Sequence, residues 1–233
     1  MKPAKTRRGF TLVELLTVVV IIGVLVGLLV PAVISARAIA RQTQCMNRLK
    51  ELGTGVQNYV AANARYPGFR SRRDTSWAVE LLPHIGRGDL WEMGWRTGTA
   101  PQLVEVEQFI CPMDKRQQTA QLSYVANRAL FGDQSPGVDP PQYVEPSSVG
   151  AISAVVMLSE RYGTNAAVQA GPYADPSSPP TEAQLTFTWD PTVTLGNFLA
   201  AEHPGGINVV FCDGHGQTYP TAQSAGDLDE FAW

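Results

Sequence analysis

The chain has 233 residues, a formal net charge of −3 and 44% hydrophobic residues, which suits one folded domain with a further segment. Its mildly acidic balance argues against a nucleic-acid-binding protein, which would present a basic face. The 21 glycines and 17 prolines indicate many turns and loops.

The N-terminal segment combines a basic start with a long apolar stretch. Residues 1–9 carry four basic residues and no acid, and residues 10–31 are almost wholly apolar. As a helix, the apolar stretch would be roughly 30 Å long, the thickness of a bilayer core. We therefore predict a membrane-spanning helix over residues 10–31. A cleaved secretory signal peptide fits less well, because the stretch is long and no small-x-small site follows it.

Glu14 is the residue that does not fit this stretch. A carboxylate in lipid without a partner costs several kcal/mol. The sequence therefore predicts either a partner or a function for Glu14.

The stretch Arg8-Gly9-Phe10-Thr11-Leu12-Val13-Glu14 resembles the processing site of type IV pilins and of type II secretion pseudopilins. The resemblance implies that prepilin peptidase removes residues 1–9 as a leader by cutting after Gly9, and that Phe10 is then N-methylated. It also implies that Glu14 pairs with the Phe10 amine of a neighbouring subunit. The alternative is an uncleaved single-span anchor.

The same resemblance implies a location and partners. It places a single-pass protein in the bacterial inner membrane, with its C-terminal domain outside the cytoplasm and its filament in the periplasm or at the cell surface. The implied partners are the prepilin peptidase, which is also the N-methyltransferase, and other pilin-like subunits. Loss of the basic leader would leave a formal charge of −7.

The helix is predicted to continue after Pro31, over residues 32–63 outside the membrane. Apolar residues recur there at spacings of four and three, which is one face of an amphipathic helix. The turn signal Tyr66-Pro67-Gly68 ends it near Asn63. The members of the apolar face are Cys45, Leu49, Leu52, Val56 and Tyr59.

Residues 64–233 are predicted to form a globular α+β domain. The whole is pilin-like: a long N-terminal helix packed on a mostly antiparallel sheet of about four strands, with long loops. The apolar run 152–158 is the best candidate for a central strand. A strand entering a turn is expected at 109–114, a further strand at 185–189, and short helices at 76–83 and 90–93.

The sequence of residues 203–219 predicts a β-hairpin. Asp213-Gly214 between two alternating segments is a strong signal for a type I′ turn, in which both central residues have positive φ. This alternation predicts that three side chains face the core: Ile207, Val209 and Phe211.

The same segment resembles the C-terminal pattern of a large family of pseudopilin-like proteins. That pattern is a histidine, nine residues, then Asp-Gly, which here are His203, Asp213 and Gly214. The resemblance implies architecture more than activity, so we expect a structural role for these three residues.

Glu160, His203, Asp213 and His215 are residue types that bind divalent metals. In an extended strand, however, His203 and Asp213 would lie roughly 33 Å apart. We therefore expect no metal, no cofactor and no catalytic residue. A metal-dependent hydrolase that uses one of these histidines is a less favoured alternative.

The three cysteines allow one disulfide and one remaining thiol. The compartment outside the cytoplasm permits disulfides. We favour a bridge between Cys45 and Cys111, which would tie the helix to the domain, over pairings with Cys212. Three buried thiols are the alternative.

The predicted function is that of a structural filament subunit, a pseudopilin of a type II secretion or type IV pilus-like fibre, and not of an enzyme. The alternative is a membrane-tethered binding domain outside the cytoplasm that does not polymerise. Its ligand would be a glycan stacked on Trp77, Trp91 or Trp95.

Overall fold

The computed structural model describes residues 11–69, 71, 76–97, 106–113, 122–134, 137–160, 186–187 and 206–219. The chain forms two compact units, and the division falls between Ala40 and Arg41.

Helix α1 spans Leu12–Asn63 and contains Pro31. Its end at Asn63 is the predicted one, and the next residue, Ala64, has a left-handed φ of 56°. The Ala64 N–H still donates to the Val60 carbonyl, at 2.8 Å, so the last turn of the helix is closed.

Beyond Arg41, one face of α1 is buried in the larger unit, and it is the predicted apolar face. The buried residues are Cys45, Leu49, Leu52, Gly53, Gly55, Val56 and Tyr59. The predicted packing of the helix on a sheet is therefore confirmed for this half of α1.

Within the described part of the chain, the sheet has five strands in the order β3-β1-β2-β4-β5. All neighbouring pairs are antiparallel except β1 with β3, which are parallel over two residue pairs. The mostly antiparallel sheet is confirmed, and β2 is central as predicted. The strands are β1 Tyr124–Asn127, β2 Val156–Glu160, β3 Thr186–Phe187, β4 Ile207–Phe211 and β5 Gly216–Tyr219.

Two strand predictions need correction. Residues 152–154 form a turn, so the central strand begins at Val156. Of the strand entering a turn expected at 109–114, the strand is wrong, because Glu107–Phe109 is a 3₁₀ turn and residues 110–111 are not in a strand, whereas residues 112–113 do form a turn. Strand β1 was not predicted.

The short helices lie close to their predicted places. Helix α2 spans Trp77–Leu81 and continues as a 3₁₀ turn over Leu82–Ile85, so Pro83 does not end it. Helix α3 spans Gly88–Thr97. A further 3₁₀ turn covers Pro146–Ser148.

The two faces of β4 pack differently from the prediction. Val210 belongs to the main core, together with the buried face of α1. Ile207, Val209 and Phe211 are also buried, but they form a second cluster with Val156 and Tyr219. The strand is covered on both faces, so alternation alone could not identify the face that meets the helix.

The hairpin turn is not type I′. Gly214 has a φ of 89°, whereas Asp213 does not have a positive φ. The Gly214 N–H donates to the Phe211 carbonyl, and the Phe211 N–H donates to the His215 carbonyl, both at 2.9 Å. This is a three-residue loop that ends in a left-handed glycine, the next most common way to close a hairpin.

Candidate functional site

The described chain starts at the residue that caps α1. Gly9 and Phe10, the predicted processing residues, lie outside the described residues. The Thr11 N–H and hydroxyl both donate to one carboxylate oxygen of Glu14, at 2.9 and 2.8 Å. The Glu14 N–H lies 3.3 Å from the Thr11 hydroxyl oxygen. These reciprocal bonds form a capping box, which satisfies otherwise unpaired N–H groups at the helix start.

Glu14 lies at one end of a long apolar surface. It is the only ionisable residue between Thr11 and Ala36. Large apolar side chains from Leu12 to Ile39 are exposed, and α1 is long and apolar enough to cross a membrane by length and composition. A carboxylate accepts about four hydrogen bonds, so the two from Thr11 leave capacity for a cation from outside the chain.

A disulfide joins Cys45 of α1 to Cys111, with the Cα atoms 5.0 Å apart. Arg48 strengthens the same junction, because its guanidinium donates to the Ile110 carbonyl at 2.6 Å and forms an ion pair with Glu107. Cys212 is a buried free thiol, and burial raises its pKa to about 11. The bridge therefore ties the helix to the segment that follows the Glu107–Phe109 turn.

A buried carboxyl group lies beside this disulfide. Glu160, at the end of β2, is 3% exposed, and its two oxygens accept the backbone N–H and the side-chain amide of Asn208, both at 2.9 Å. The Thr218 hydroxyl donates to the Asn208 side-chain oxygen at 2.6 Å. Burial raises the pKa of Glu160 to about 7, although the bonds from Asn208 act in the opposite direction.

The two cysteine sulfurs and a Glu160 oxygen lie within 4.8 Å of one another. Sequence reasoning missed this cluster, since it considered Glu160 only with the histidines. No sequence pattern links three residues so far apart in the chain. Thiolates bind metals and disulfides do not, so the bridged cysteines do not form a metal site in this state.

Asp213 and His215 form a pair at the hairpin. The Asp213 carboxylate accepts the His215 backbone N–H at 3.0 Å and lies 2.6 Å from the His215 Nδ1. Burial would raise the pKa of Asp213, but these bonds from His215 outweigh it and lower the pKa. The His215 ring stacks on Phe211, with centroids 4.1 Å apart.

The four proposed metal ligands are not brought together within the described residues. Glu160 contacts Asn208, and Asp213 follows five residues later, about 17 Å along an extended strand. His203 lies outside the described residues.

The glycan platform, which belongs to the alternative of a tethered binding domain, is excluded at Trp77, because this side chain fills the core as tryptophans usually do. Its side chain is completely buried, with edge-on contacts to Phe109 and Phe131 at centroid distances of 6.0 and 5.9 Å. Trp91 is partly buried against the same core, and the side chain of Trp95 lies outside the described residues. A glycan cannot stack on a ring that solvent does not reach.

Two family models match the chain. The one described as "Prokaryotic N-terminal methylation motif" matches residues 4–30. The one described as "Protein of unknown function (DUF1559)" matches residues 34–146. The first match contains the predicted processing site and the capped start of α1, and the second contains both bridged cysteines.

Several curated proteins are similar to part of the chain. The chain is similar to the type II secretion system core protein G of Pseudomonas aeruginosa, 36% identical over 91 residues, or 39% of this chain and 60% of the relative. The Escherichia coli core protein G is 34% identical over 85 residues, or 36% and 59%. The type IV major pilin protein PilA of Myxococcus xanthus is 39% identical over 62 residues, or 27% and 28%.

The matches thus span between about a quarter and three fifths of these relatives' lengths. No solved structure matches the chain significantly.

Proposed function

We propose that this chain, which is similar to type IV pilins and type II secretion pseudopilins, is a structural subunit of a type II secretion or type IV pilus-like filament. The observation that carries the proposal is the start of α1, where a capped carboxylate, Glu14, precedes a long exposed apolar surface. The match to the N-terminal methylation motif over residues 4–30 supports it.

The proposed maturation begins with cleavage after Gly9 by prepilin peptidase, which then methylates the new amino group on Phe10. Cleavage removes four positive charges and creates an ammonium on Phe10, four residues before Glu14. In lipid, attraction between an ammonium and a carboxylate is far stronger than in water, because the dielectric constant is low. A neighbouring subunit's Phe10 amine would therefore be a strong partner for Glu14.

The proposed location follows from the same segment. Residues 10–31 would span the inner membrane, with the domain from residue 64 outside the cytoplasm and residues 32–63 leading to it. Outside the cytoplasm, disulfides persist, which agrees with the bridge between Cys45 and Cys111. The assembled fibre would lie in the periplasm or at the cell surface, and its role would be structural and not enzymatic.

The first experiment determines the intact mass and N-terminal sequence of the membrane-extracted chain, made with and without prepilin peptidase. We expect a chain that begins at N-methylated Phe10 only when the peptidase is present. A chain that begins at Met1 in both cells would contradict the proposal and favour an ordinary membrane anchor.

The second experiment tests assembly separately from processing. Glu14→Ala should be processed normally but should lose crosslinking to a second copy in cells, because the neighbour's ammonium has no partner. Glu51→Ala is the matched control, since Glu51 is an exposed acid on the same helix, beyond the apolar segment. Normal crosslinking of the Glu14→Ala chain would contradict the pairing.

A further inference from the structure

We propose that Glu160 accepts the proton that is released when the Cys45–Cys111 disulfide closes, so that the folded domain assists its own oxidation. The three groups come from β2, from α1 and from the segment after the Glu107–Phe109 turn. A Glu160 oxygen lies within 4.8 Å of both sulfurs. The proposed filament function does not use this cluster, so the inference stands independently of it.

The sheet places Glu160 on the face that carries Cys45. Tyr124 of β1 is opposite Glu160 of β2 in the antiparallel register, so their side chains share one face of the sheet. The Tyr124 hydroxyl donates to the backbone carbonyl of Cys45 at 3.3 Å. The helix that carries Cys45 therefore lies over the end of β2.

The position of the carboxyl group is fixed by the sheet. Both Glu160 oxygens are held by Asn208 of β4, and Asn208 is held in turn by Thr218 of β5. Three strands must pair before Glu160 is held in this position beside the sulfurs. An unfolded or partly folded chain therefore lacks this arrangement.

Because the Cys45 thiol is buried, the Glu160 carboxyl group can take its proton where water cannot. Cys45 is fully buried, whereas Cys111 is 6% exposed. A thiol must lose its proton before it can attack a disulfide, so a completely buried thiol requires a base nearby. Burial raises the pKa of Glu160 to about 7, so its carboxylate is a stronger base than an ordinary carboxylate.

The neighbours of Glu160 are identified from each element around it. Among the residues that the structure describes, the titratable groups beside it are Cys45 from α1, Cys111 from the segment after the Glu107–Phe109 turn, and Tyr124 from β1. Strands β4 and β5 contribute Asn208 and Thr218, which do not titrate.

The proposed reaction has two steps. An external disulfide, either a small oxidised dithiol or that of a thiol–disulfide oxidoreductase, first exchanges with the more exposed Cys111, which forms a mixed disulfide and releases one thiol. The Glu160 carboxylate then takes the proton of the Cys45 thiol. The Cys45 thiolate attacks the Cys111 sulfur, the bond between the two cysteines forms, and the bond to the external sulfur breaks.

The departing external thiolate takes a proton from solvent, and Glu160 returns to solvent the proton that it accepted from Cys45. The two cysteines together lose two electrons, and the external disulfide gains them and becomes two thiols. The Met113 N–H, 3.4 Å from the Cys111 sulfur, helps to hold that sulfur in place.

The test uses the full chain in detergent micelles, with Cys212→Ala in every variant so that two thiols remain. Reduced protein is mixed with oxidised glutathione, quenched with an alkylating agent, and followed by mass spectrometry. We expect Glu160→Gln to slow the loss of the mixed disulfide at least tenfold at pH 7.5, because general bases commonly contribute a hundredfold or more. Glu51→Gln is the matched control and should stay within twofold of the parent chain.

The same reaction in concentrated guanidinium chloride separates proton transfer from other effects. In the denaturant, the parent chain, Glu160→Gln and Glu51→Gln should form the Cys45–Cys111 bond at the same rate, because the carboxyl group is no longer held near the sulfurs. Without denaturant, the proposal would be overturned if Glu160→Gln formed the disulfide at a rate within twofold of the parent chain's while far-UV circular dichroism showed that the variant was folded.

A second measurement needs no variant at Glu160, so it tests the proposal even if Glu160→Gln does not fold. For the folded parent chain, the closing rate should rise with pH and level off with a midpoint near 7. A reaction limited by the thiol alone would have its midpoint at about 8.5 or above, and that result would also overturn the proposal.

Discussion

Gly53 of α1 lies directly against Val210 of β4. A Cβ atom built on Gly53 would come within 2.7 Å of the Val210 Cγ1 atom and 3.5 Å of the Met157 Cε atom. The missing side chain is what allows the helix to approach the sheet this closely. It also explains why a residue of poor helix propensity is placed in the buried face of a helix.

Gly53→Ala should therefore destabilise the domain, although alanine favours helix by about 1 kcal/mol. Overpacking a core usually costs about 1–3 kcal/mol, and the branched Val210 side chain is too stiff to move aside. We expect a net loss of about 1 kcal/mol in the free energy of unfolding, measured by denaturant titration of the full chain in micelles.

Gly216→Ala is the matched control for Gly53→Ala. A Cβ atom at Gly216 would meet the Lys50 Cε and Met46 Sδ atoms, both at 2.6 Å. Both neighbours are the ends of flexible side chains, so they can move at little cost. Its unfolding free energy should stay within about 0.5 kcal/mol of the parent chain. Equal losses for the two variants would contradict the packing argument.

The sequence predicted those parts of the fold that depend on local patterns. The spacing from Cys45 to Tyr59 identified the buried face of α1, and the apolar run that ends at Leu158 identified the central strand. Strand β1 has four residues, and all four are buried. No alternation of polar and apolar residues marks a strand that is covered on both faces.

Only those parts of the candidate site whose residues lie close together in the chain could be predicted from the sequence. Glu14 and Thr11 are three residues apart, so a capping pair could be read from the sequence, and Glu14 was identified for its charge in an apolar stretch. The cluster of Glu160 with the disulfide depends on strand register and on the approach of the helix to the sheet. Those long-range relationships leave no local pattern.

Glu160 should make stability depend on pH. Its pKa is about 7 in the folded protein, against an ordinary value of 4.5, so the folded state binds more protons between these values. Stability from this group is fully present below about pH 4.5 and is lost as the pH rises to about 7. The difference corresponds to a loss on the order of 3 kcal/mol.

The measurement compares the unfolding free energies of the parent chain and Glu160→Gln at pH 5 and pH 8. Because the amide does not titrate, Glu160→Gln should gain on the order of 2 kcal/mol relative to the parent between the two pH values. Glu51→Gln alters an exposed acid, so its unfolding free energy should change with pH as that of the parent chain does. If the profile of Glu160→Gln were parallel to that of the parent chain, the Glu160 carboxyl group of the parent would titrate normally.

Gly214 at the hairpin turn combines two constraints that can be measured separately. Its φ of 89° is strained for any other residue, and a Cβ atom there would lie 2.8 Å from the Gln57 Nε2 atom. That amide donates to the Cys212 carbonyl at 3.1 Å and so ties α1 to the hairpin. Gly214→Ala should cost about 1 kcal/mol for the backbone and about 1 kcal/mol more for the displaced hydrogen bond.

Gly86 separates the two contributions, because it has a φ of 77° but no heavy atom within 4 Å of its built Cβ. Gly86→Ala should therefore show the backbone cost alone. In a chain that also carries Gln57→Ala, the hydrogen bond is already absent, so Gly214→Ala should cost only as much as Gly86→Ala. Denaturant titration of the four single and double variants gives the coupling directly, and additive losses at Gln57 and Gly214 would show that the contact does not hold the hairpin to the helix.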